Sequence, residues 1–142
     1  MHNKKIKGFT LIEIMIVLVI IGIMASLIAP KVMGGLDQAR KIKAKTDITT
    51  IINSLKLYKI DNSRYPTKEQ GLDALIKKPT IAPIPNSYRN DGYLEKLPKD
   101  PWGNDYVYLN PGKYQEIDVY SIGVNGDSST TQDSDGVIGS WQ

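Results

Sequence analysis

The 142-residue sequence contains no cysteine and a single histidine, His2. Without cysteine the chain has no disulfide, no thiolate nucleophile and no cysteine-ligated zinc or iron. Because the only histidine lies next to the N-terminus, the folded part has no residue for a Ser-His-Asp triad or a histidine-ligated metal. A glycine-rich phosphate loop is also absent. Any catalysis would therefore depend on carboxylates, lysine or tyrosine.

Excess charge is confined to short regions of the chain. The net charge of +3 equals the contribution of Lys4, Lys5 and Lys7, so residues 9–142 are balanced. Residues 31–60 carry seven basic and two acidic side chains, and residues 61–142 carry eight basic and twelve acidic ones. The later part of the chain lacks the sustained basic run with aromatic residues that is typical of nucleic-acid binding, and we expect no nucleic-acid partner.

One long apolar run extends from Phe9 to Ala29 and contains a single ionisable side chain, Glu13. As a helix it would span about 32 Å, close to the thickness of a bilayer's hydrocarbon core. A cleaved secretory signal fits poorly, because the run is too long and Leu27 stands where the cleavage site needs a small residue. In a plain membrane anchor, the preceding lysines would stay in the cytoplasm and the residues after Ala29 would lie on the other side.

Neither interpretation accounts for Glu13, because a carboxylate in an apolar helix costs several kcal/mol unless it is paired. No basic residue of the run shares its helical face. Cleavage between Gly8 and Phe9 would create an α-amino group one helical turn away, or on a neighbouring subunit. Charge pairing is strong in low-dielectric surroundings, so we expect Glu13 to set the register of packed helices.

The segment Lys7-Gly8-Phe9-Thr10-Leu11-Ile12-Glu13 resembles the processing motif of the type IV pilin family, which includes the pseudopilins of type II secretion. The resemblance implies that a prepilin peptidase cuts after Gly8, that Phe9 becomes N-methylated, and that Glu13 is the acid that registers subunits. It also implies a leader at residues 1–8, a transmembrane and filament-core helix at 9–29, and a periplasmic globular domain at 30–142.

Helical periodicity continues beyond the apolar run and predicts one long helix that reaches residue 60 and packs on a sheet. Pro30 and Gly34-Gly35 disfavour helix, so we expect either a kink or a melted segment there. The apolar stripe consists of Val32, Leu36, Ala39, Ile48, Ile51, Ile52, Leu55 and Tyr58.

The second half of the chain predicts short elements. Thr67 and Gln70 form a capping-box pattern, which predicts a helix over about 68–77. Residues 79–101 contain five prolines and are predicted to form an ordered loop. Residues 106–109 and 116–122 are typical of antiparallel strands joined by a turn.

Five segments of this half resemble the major pseudopilins of type II secretion, namely 65–67, 69–75, 97–104, 108–112 and 116–123. The likeness extends from Lys7 to Trp141. It implies an α+β, pilin-like fold: a long N-terminal helix, half transmembrane and half amphipathic, packed on a small antiparallel sheet, with a C-terminal calcium loop. Adhesive pilins usually close this region with a disulfide, for which this chain has no cysteine.

Residues 122–138 contain three aspartates among Gly, Ser, Thr and Asn, with no basic residue. A solvated flexible loop is one interpretation. The other is a Ca²⁺ site, because calcium takes six to eight oxygens and would remove the repulsion between the carboxylates. An EF-hand is excluded, since no glutamate falls at its twelfth position.

The resemblance implies that one calcium is held by the Ile122 carbonyl, Asn125 and Asp135, completed by Asp133 or Ser134. The family commonly has aspartate where Asn125 stands, so Asp127 is an alternative ligand. The backbone carbonyl near Val137 is a further one.

We therefore expect a non-enzymatic structural subunit, anchored by a single pass in the bacterial inner membrane with its C-terminal domain in the periplasm. The implied partners are other copies of the chain in a helical homopolymer, the prepilin peptidase, minor pseudopilins, the inner-membrane assembly platform with its ATPase, and the membrane itself. The filament would support export of folded proteins across the outer membrane.

Two alternatives remain at this point. A type IV pilus or competence-pilus subunit would share the N-terminus. A membrane-anchored, calcium-dependent enzyme would need carboxylates clustered around a pocket, whereas here they gather in a terminal loop.

Overall fold

The computed structural model describes residues 8–124, 126, 132, 134 and 136–142, with residues 28–33 described by their backbone alone. In chain order it contains helix α1 (Leu11–Asn62), a 3-10 helix (Leu72–Leu75), and the strands β1 (Val107–Leu109), β2 (Asp118–Ser121) and β3 (Ile138–Gly139). Contacts within the chain divide it into two units, Met1–Ala39 and Arg40–Gln142. The long helix predicted from the sequence is confirmed.

The first unit contains the apolar start of α1. From Phe9 to Leu27, the large apolar side chains are 49–82% exposed in the isolated chain, because apolar residues occupy every side of the helix. The backbone stays helical through Pro30, Gly34 and Gly35, so, of the two alternatives left open by the sequence, melting is not seen in the isolated chain. Within the part of the chain that the structure describes, no helix is both long enough and apolar enough to cross a membrane.

The second unit has a core built on one stripe of α1. Buried side chains recur every three or four residues, so they share one helical face. They are Ala44, Ile48, Ile51, Leu55 and Tyr58, none more than 3% exposed. Fully burying a large apolar side chain stabilises the fold by about 1.5–3 kcal/mol.

The predicted stripe is thus confirmed from Ile48 onward, and Ile52 packs at its edge. The prediction was wrong for Leu36 and Ala39, which are exposed. Both lie before Arg40, where the compact second unit begins. Val32 is among the residues described by backbone alone.

The sheet has the order β1-β2-β3 and is antiparallel throughout. Val107 pairs with Tyr120 and Leu109 with Asp118, while Ser121 pairs with Ile138. The two predicted strands are confirmed in place but are shorter than predicted. Strand β3 could not be predicted from the sequence, because a strand of two residues is too short to show an alternating pattern.

The predicted helix at 68–77 was wrong in length, although its capping box is present. The backbone N–H of Thr67 donates to Gln70 Oε1 at 3.0 Å, and the N–H of Gln70 donates to Thr67 Oγ1 at 3.2 Å. Gly71 then takes a positive φ of 61°, which interrupts any α-helix, and only Leu72–Leu75 continues as a 3-10 turn. The Gln70 amide also donates to the carbonyls of Ile81 and Pro83.

Residues 79–101, all of which the structure describes, form no helix or strand, as the prolines predicted. Tyrosine rings hold this loop on the core. Tyr93 lies 5.2 Å from Tyr58 and 5.4 Å from Tyr88 between ring centroids. Burial raises the pKa of Tyr88 to about 12, so this cluster stays uncharged at physiological pH.

Candidate processing, assembly and metal sites

The predicted processing site lies just before α1. Gly8 is exposed, with no other atom within 4 Å of the position where a Cβ would lie, and the Phe9 side chain is 82% exposed. The peptide between them is therefore accessible in the isolated chain. The lysines that precede it fall outside the described residues.

Glu13 has local partners at the start of α1. Its Oε2 accepts the backbone N–H of Thr10 at 3.2 Å and the Thr10 hydroxyl at 3.3 Å. In return, the Glu13 N–H donates to Thr10 Oγ1 at 3.3 Å. This reciprocal arrangement is a capping box, in which the N-cap and N3 residues satisfy each other's backbone N–H groups.

Thr10 was not predicted as a partner of Glu13, for which only a basic partner was expected. The signal was available, because a threonine three residues before a glutamate at the start of an apolar run is the capping pattern. The carboxylate also lies in the first turn, where the helix dipole favours negative charge. Glu13 is thus held at the helix end next to Phe9.

The predicted metal loop connects β2 to β3. Because Ser121 pairs with Ile138, the two ends of the loop lie side by side. Gly123, at a φ of 75°, approaches the other end so closely that a Cβ on it would lie 2.5 Å from the Gly136 carbonyl oxygen. Ile122 and Val137, both predicted to supply backbone carbonyls, therefore lie at the two adjacent ends of the loop.

The side-chain ligands predicted for this loop, Asn125, Asp127, Asp133 and Asp135, lie outside the described residues. Among the residues that are described, no three Asp, Glu or His side chains form a group that could hold a metal ion. Backbone carbonyls, carboxylates and an asparagine amide are all oxygen donors, and this donor set is chemically suited to calcium.

A buried carboxylate fixes the other side of the loop. Asp118 is 0% exposed, and its Oδ2 accepts the backbone N–H groups of Lys113 at 2.6 Å and Tyr114 at 2.9 Å. The Gln115 N–H donates to Oδ1 at 3.1 Å, and the Gln132 amide donates to Oδ2 at 2.6 Å. Since Gln132 stands between the predicted ligands, this bond ties the loop to β2.

Surface ion pairs join α1 to the rest of the second unit. Arg89 Nε lies 2.5 Å from Asp61 Oδ2, and its guanidinium holds the pKa of that carboxyl below the ordinary 3.8. Lys59 Nζ lies 2.5 Å from Glu116 Oε1, and this hydrogen bond raises the pKa of Lys59. Both pairs are solvent-exposed and so contribute little to stability.

Two family models match this chain, one on each side of residue 30. Residues 3–29 match the prokaryotic N-terminal methylation motif, and residues 31–141 match type II secretion system protein G. The chain belongs to the type II secretion system protein G family. The two matches together account for residues 3–29 and 31–141.

Relatives of this protein G family cover nearly the whole chain. The type II secretion system core protein G of Aeromonas hydrophila is 51% identical over 99% of this chain and 96% of its own length. That of Pseudomonas aeruginosa is 51% identical over 99% of both chains. That of Escherichia coli K12 is 49% identical over 92% of this chain and 90% of its own.

The fold has a solved counterpart in the same family. It is similar to the crystal structure of the major pseudopilin from the type 2 secretion system of enterohaemorrhagic Escherichia coli, with a TM-score of 0.69 and 47% identity. The match covers 77% of this chain and 92% of that one. The expected pilin-like combination of a long helix and a small antiparallel sheet is therefore confirmed.

Proposed function

We propose that this chain is the major structural subunit of a type II secretion pseudopilus and that it has no catalytic activity. The observation that carries the proposal is the presence, in one chain, of the methylation motif at residues 3–29 and the protein G region at residues 31–141. Copies of the chain would polymerise into a filament that supports export of folded proteins across the outer membrane.

Residues 9–29 would anchor the precursor in the bacterial inner membrane by a single pass, with residues 30–142 in the periplasm. The apolar sequence of this segment and the lysines before it support this topology. After cleavage behind Gly8, the same apolar surface would pack against copies of itself in the filament core. The prepilin peptidase, minor pseudopilins and the assembly platform are the expected partners.

In the assembled filament, Glu13 would pair with the terminal amine of Phe9 in a neighbouring subunit. The capping box supports this role, since it holds the carboxylate in the first helical turn beside the new N-terminus. A charged donor forms a hydrogen bond roughly twice as strong as a neutral one. The pair would therefore favour one axial register over others.

The loop between β2 and β3 would bind one calcium ion. The carbonyls of Ile122 and Val137 and the side chains of Asn125, Asp127, Asp133 and Asp135 are the candidates to hold it. The paired loop ends and the all-oxygen donor set fit this ion. Its chemistry here would be neutralisation of crowded carboxylates, which stabilises the folded loop.

The alternative of a type IV or competence-pilus subunit is tested together with this proposal. A secretion-deficient strain that lacks its own protein G is complemented with this chain, with a Glu13→Ala variant, and with Glu95→Ala as a control acid on the exposed surface. We expect the unsubstituted chain and Glu95→Ala to restore export, and Glu13→Ala to fail. The proposal fails if the chain forms filaments that support twitching or DNA uptake but export no protein.

A further inference from the structure

The entrance to the β2–β3 loop is organised by a second buried carboxylate, Asp100. It is 4% exposed, and its Oδ1 accepts the backbone N–H groups of Trp102 at 3.0 Å and Asn104 at 2.7 Å. Its Oδ2 accepts the hydroxyl of Ser121 at 2.6 Å. Ser121 is 0% exposed and is the last residue of β2, so Asp100 fixes the orientation of this hydroxyl at the point where the loop begins.

The Ser121 hydroxyl oxygen in turn accepts the backbone N–H of Gly123 at 3.1 Å. On the other side of Gly123, the carbonyl accepts the Asn104 side-chain amide at 3.3 Å. The segment 100–104 thus holds the Gly123 carbonyl directly, through Asn104, and the Gly123 N–H indirectly, through Ser121 and Asp100. At its φ of 75°, with the Gly136 carbonyl so close, Gly123 also leaves no room for a side chain.

This arrangement determines where the Ile122 carbonyl points. The peptide bond between Ile122 and Gly123 is planar and trans, so its C=O and N–H point in opposite directions. Because the N–H is directed to the buried Ser121 hydroxyl, the Ile122 oxygen must face away from it. A Cβ atom placed on Gly126 would lie closest to the Ile122 carbonyl oxygen, so this carbonyl faces the backbone of the loop.

We propose that Asp100, Ser121 and Asn104 are positioning residues that aim the Ile122 carbonyl into the calcium loop. The inference rests on the proposed calcium site and adds the residues that orient one of its ligands. None of the three would touch the ion. Outer residues that orient metal ligands typically change metal affinity by about 10- to 100-fold when they are removed.

The test measures the Kd for Ca²⁺ by calorimetry on the processed full chain in detergent micelles. In Ser121→Ala we expect the Kd to rise by about 10-fold or more. In Asn104→Ala, a change at a half-buried residue, we expect a smaller rise in the same direction. Ser140→Ala is the matched control, because its hydroxyl also accepts a backbone N–H on the sheet, that of Val119 at 3.2 Å, but away from the loop entrance.

If Ser121 only stabilised the fold, Ser121→Ala would have a lower melting temperature in chelator, but its Kd for Ca²⁺ would equal that of Ser140→Ala. That result, or an unchanged Kd in both entrance variants, would overturn the positioning role while leaving the calcium site intact. If Ser121→Ala does not fold, the Asn104→Ala Kd decides. Absence of binding by the unsubstituted chain would overturn the calcium site and this proposal together.

Discussion

Replacing Asp118 by alanine should destabilise the second unit more than any surface change. The carboxylate is fully buried and, among the residues that the structure describes, accepts four hydrogen bonds, three from the consecutive backbone N–H groups of residues 113–115 and one from Gln132. It therefore closes the turn between β1 and β2 and fastens the following loop with one side chain. Alanine would leave all four donors without their acceptor.

The expected loss can be worked from these contacts. A buried donor left without a partner costs about 1–3 kcal/mol. Residues 113–115 are exposed, so water can reach part of their backbone, and we expect a total loss of about 3–5 kcal/mol. Asp118→Asn should cost about 1–3 kcal/mol. The asparagine oxygen can take the place of Oδ2 and accept from Lys113, Tyr114 and Gln132, whereas its NH₂ group would face the Gln115 N–H, which is also a donor.

The assay is urea unfolding of residues 31–142 in the presence of chelator, followed by tryptophan fluorescence, with the free energy extrapolated to water. Glu116→Ala is the matched control, since this acid lies two residues earlier and its carboxylate forms a solvent-exposed ion pair with Lys59. The order of destabilisation should be Asp118→Ala, then Asp118→Asn, then the control. A loss below about 1 kcal/mol for Asp118→Ala, or a larger loss for asparagine than for alanine, would refute the reasoning.

Three further predictions concern charge and metal. Glu13→Gln should keep the capping bonds but lose the charge. The variant should still show methylated Phe9 by mass spectrometry, but it should form no regular filaments by electron microscopy. Normal filaments would contradict the pairing of Glu13 with the terminal amine. Chelating Ca²⁺ should lower the melting temperature of the processed chain, because a ligand that binds only the folded state stabilises it. An unchanged melting temperature would count against calcium binding by the loop. Arg89→Gln should destabilise the fold slightly at pH 7, since the pair is solvent-exposed but the Asp61 pKa is lowered in the folded state, and its contribution is present above the ordinary value of 3.8. The difference from the unsubstituted chain should shrink as pH falls through the lowered pKa, leaving the contact of Arg89 with the Tyr93 ring, and a constant difference down to about pH 2 would exclude the ion pair as its cause.

The long helix and its core face could be predicted from sequence because their signals are repeated. From Ile48 to Tyr58 an apolar residue returns every three or four positions, and each repetition reinforces the same helical face. The strands at 107–109 and 118–121 were likewise indicated by β-branched and aromatic residues next to a proline-glycine turn. Leu36 and Ala39 continue the same periodicity, but periodicity cannot tell where the partner surface ends.

The carboxylates at the loop could not be assigned in this way. In a strand, Asp118 would normally be placed on the solvent side by its charge, yet it is buried because the turn before it directs three N–H groups inward. Asp100 is buried for the same reason, with donors from residues 102, 104 and 121. Most of their partners are backbone N–H groups, and the two side-chain partners, Ser121 and Gln132, are distant in sequence, so the positions of all these donors depend on tertiary structure.

The capping box changes how the energetics of assembly should be counted. An isolated carboxylate in an apolar helix would have a terminal amine as its sole compensation for desolvation, and pairing would then contribute strongly to polymerisation. Glu13, however, already accepts two hydrogen bonds from Thr10 and lies at the favourable end of the helix dipole. The gain on pairing is therefore only the difference between a charged donor and these neutral ones. In the proposed filament, the apolar surface from Phe9 to Ala29 would therefore supply most of the free energy of association, and Glu13 would chiefly select the register in which those surfaces meet.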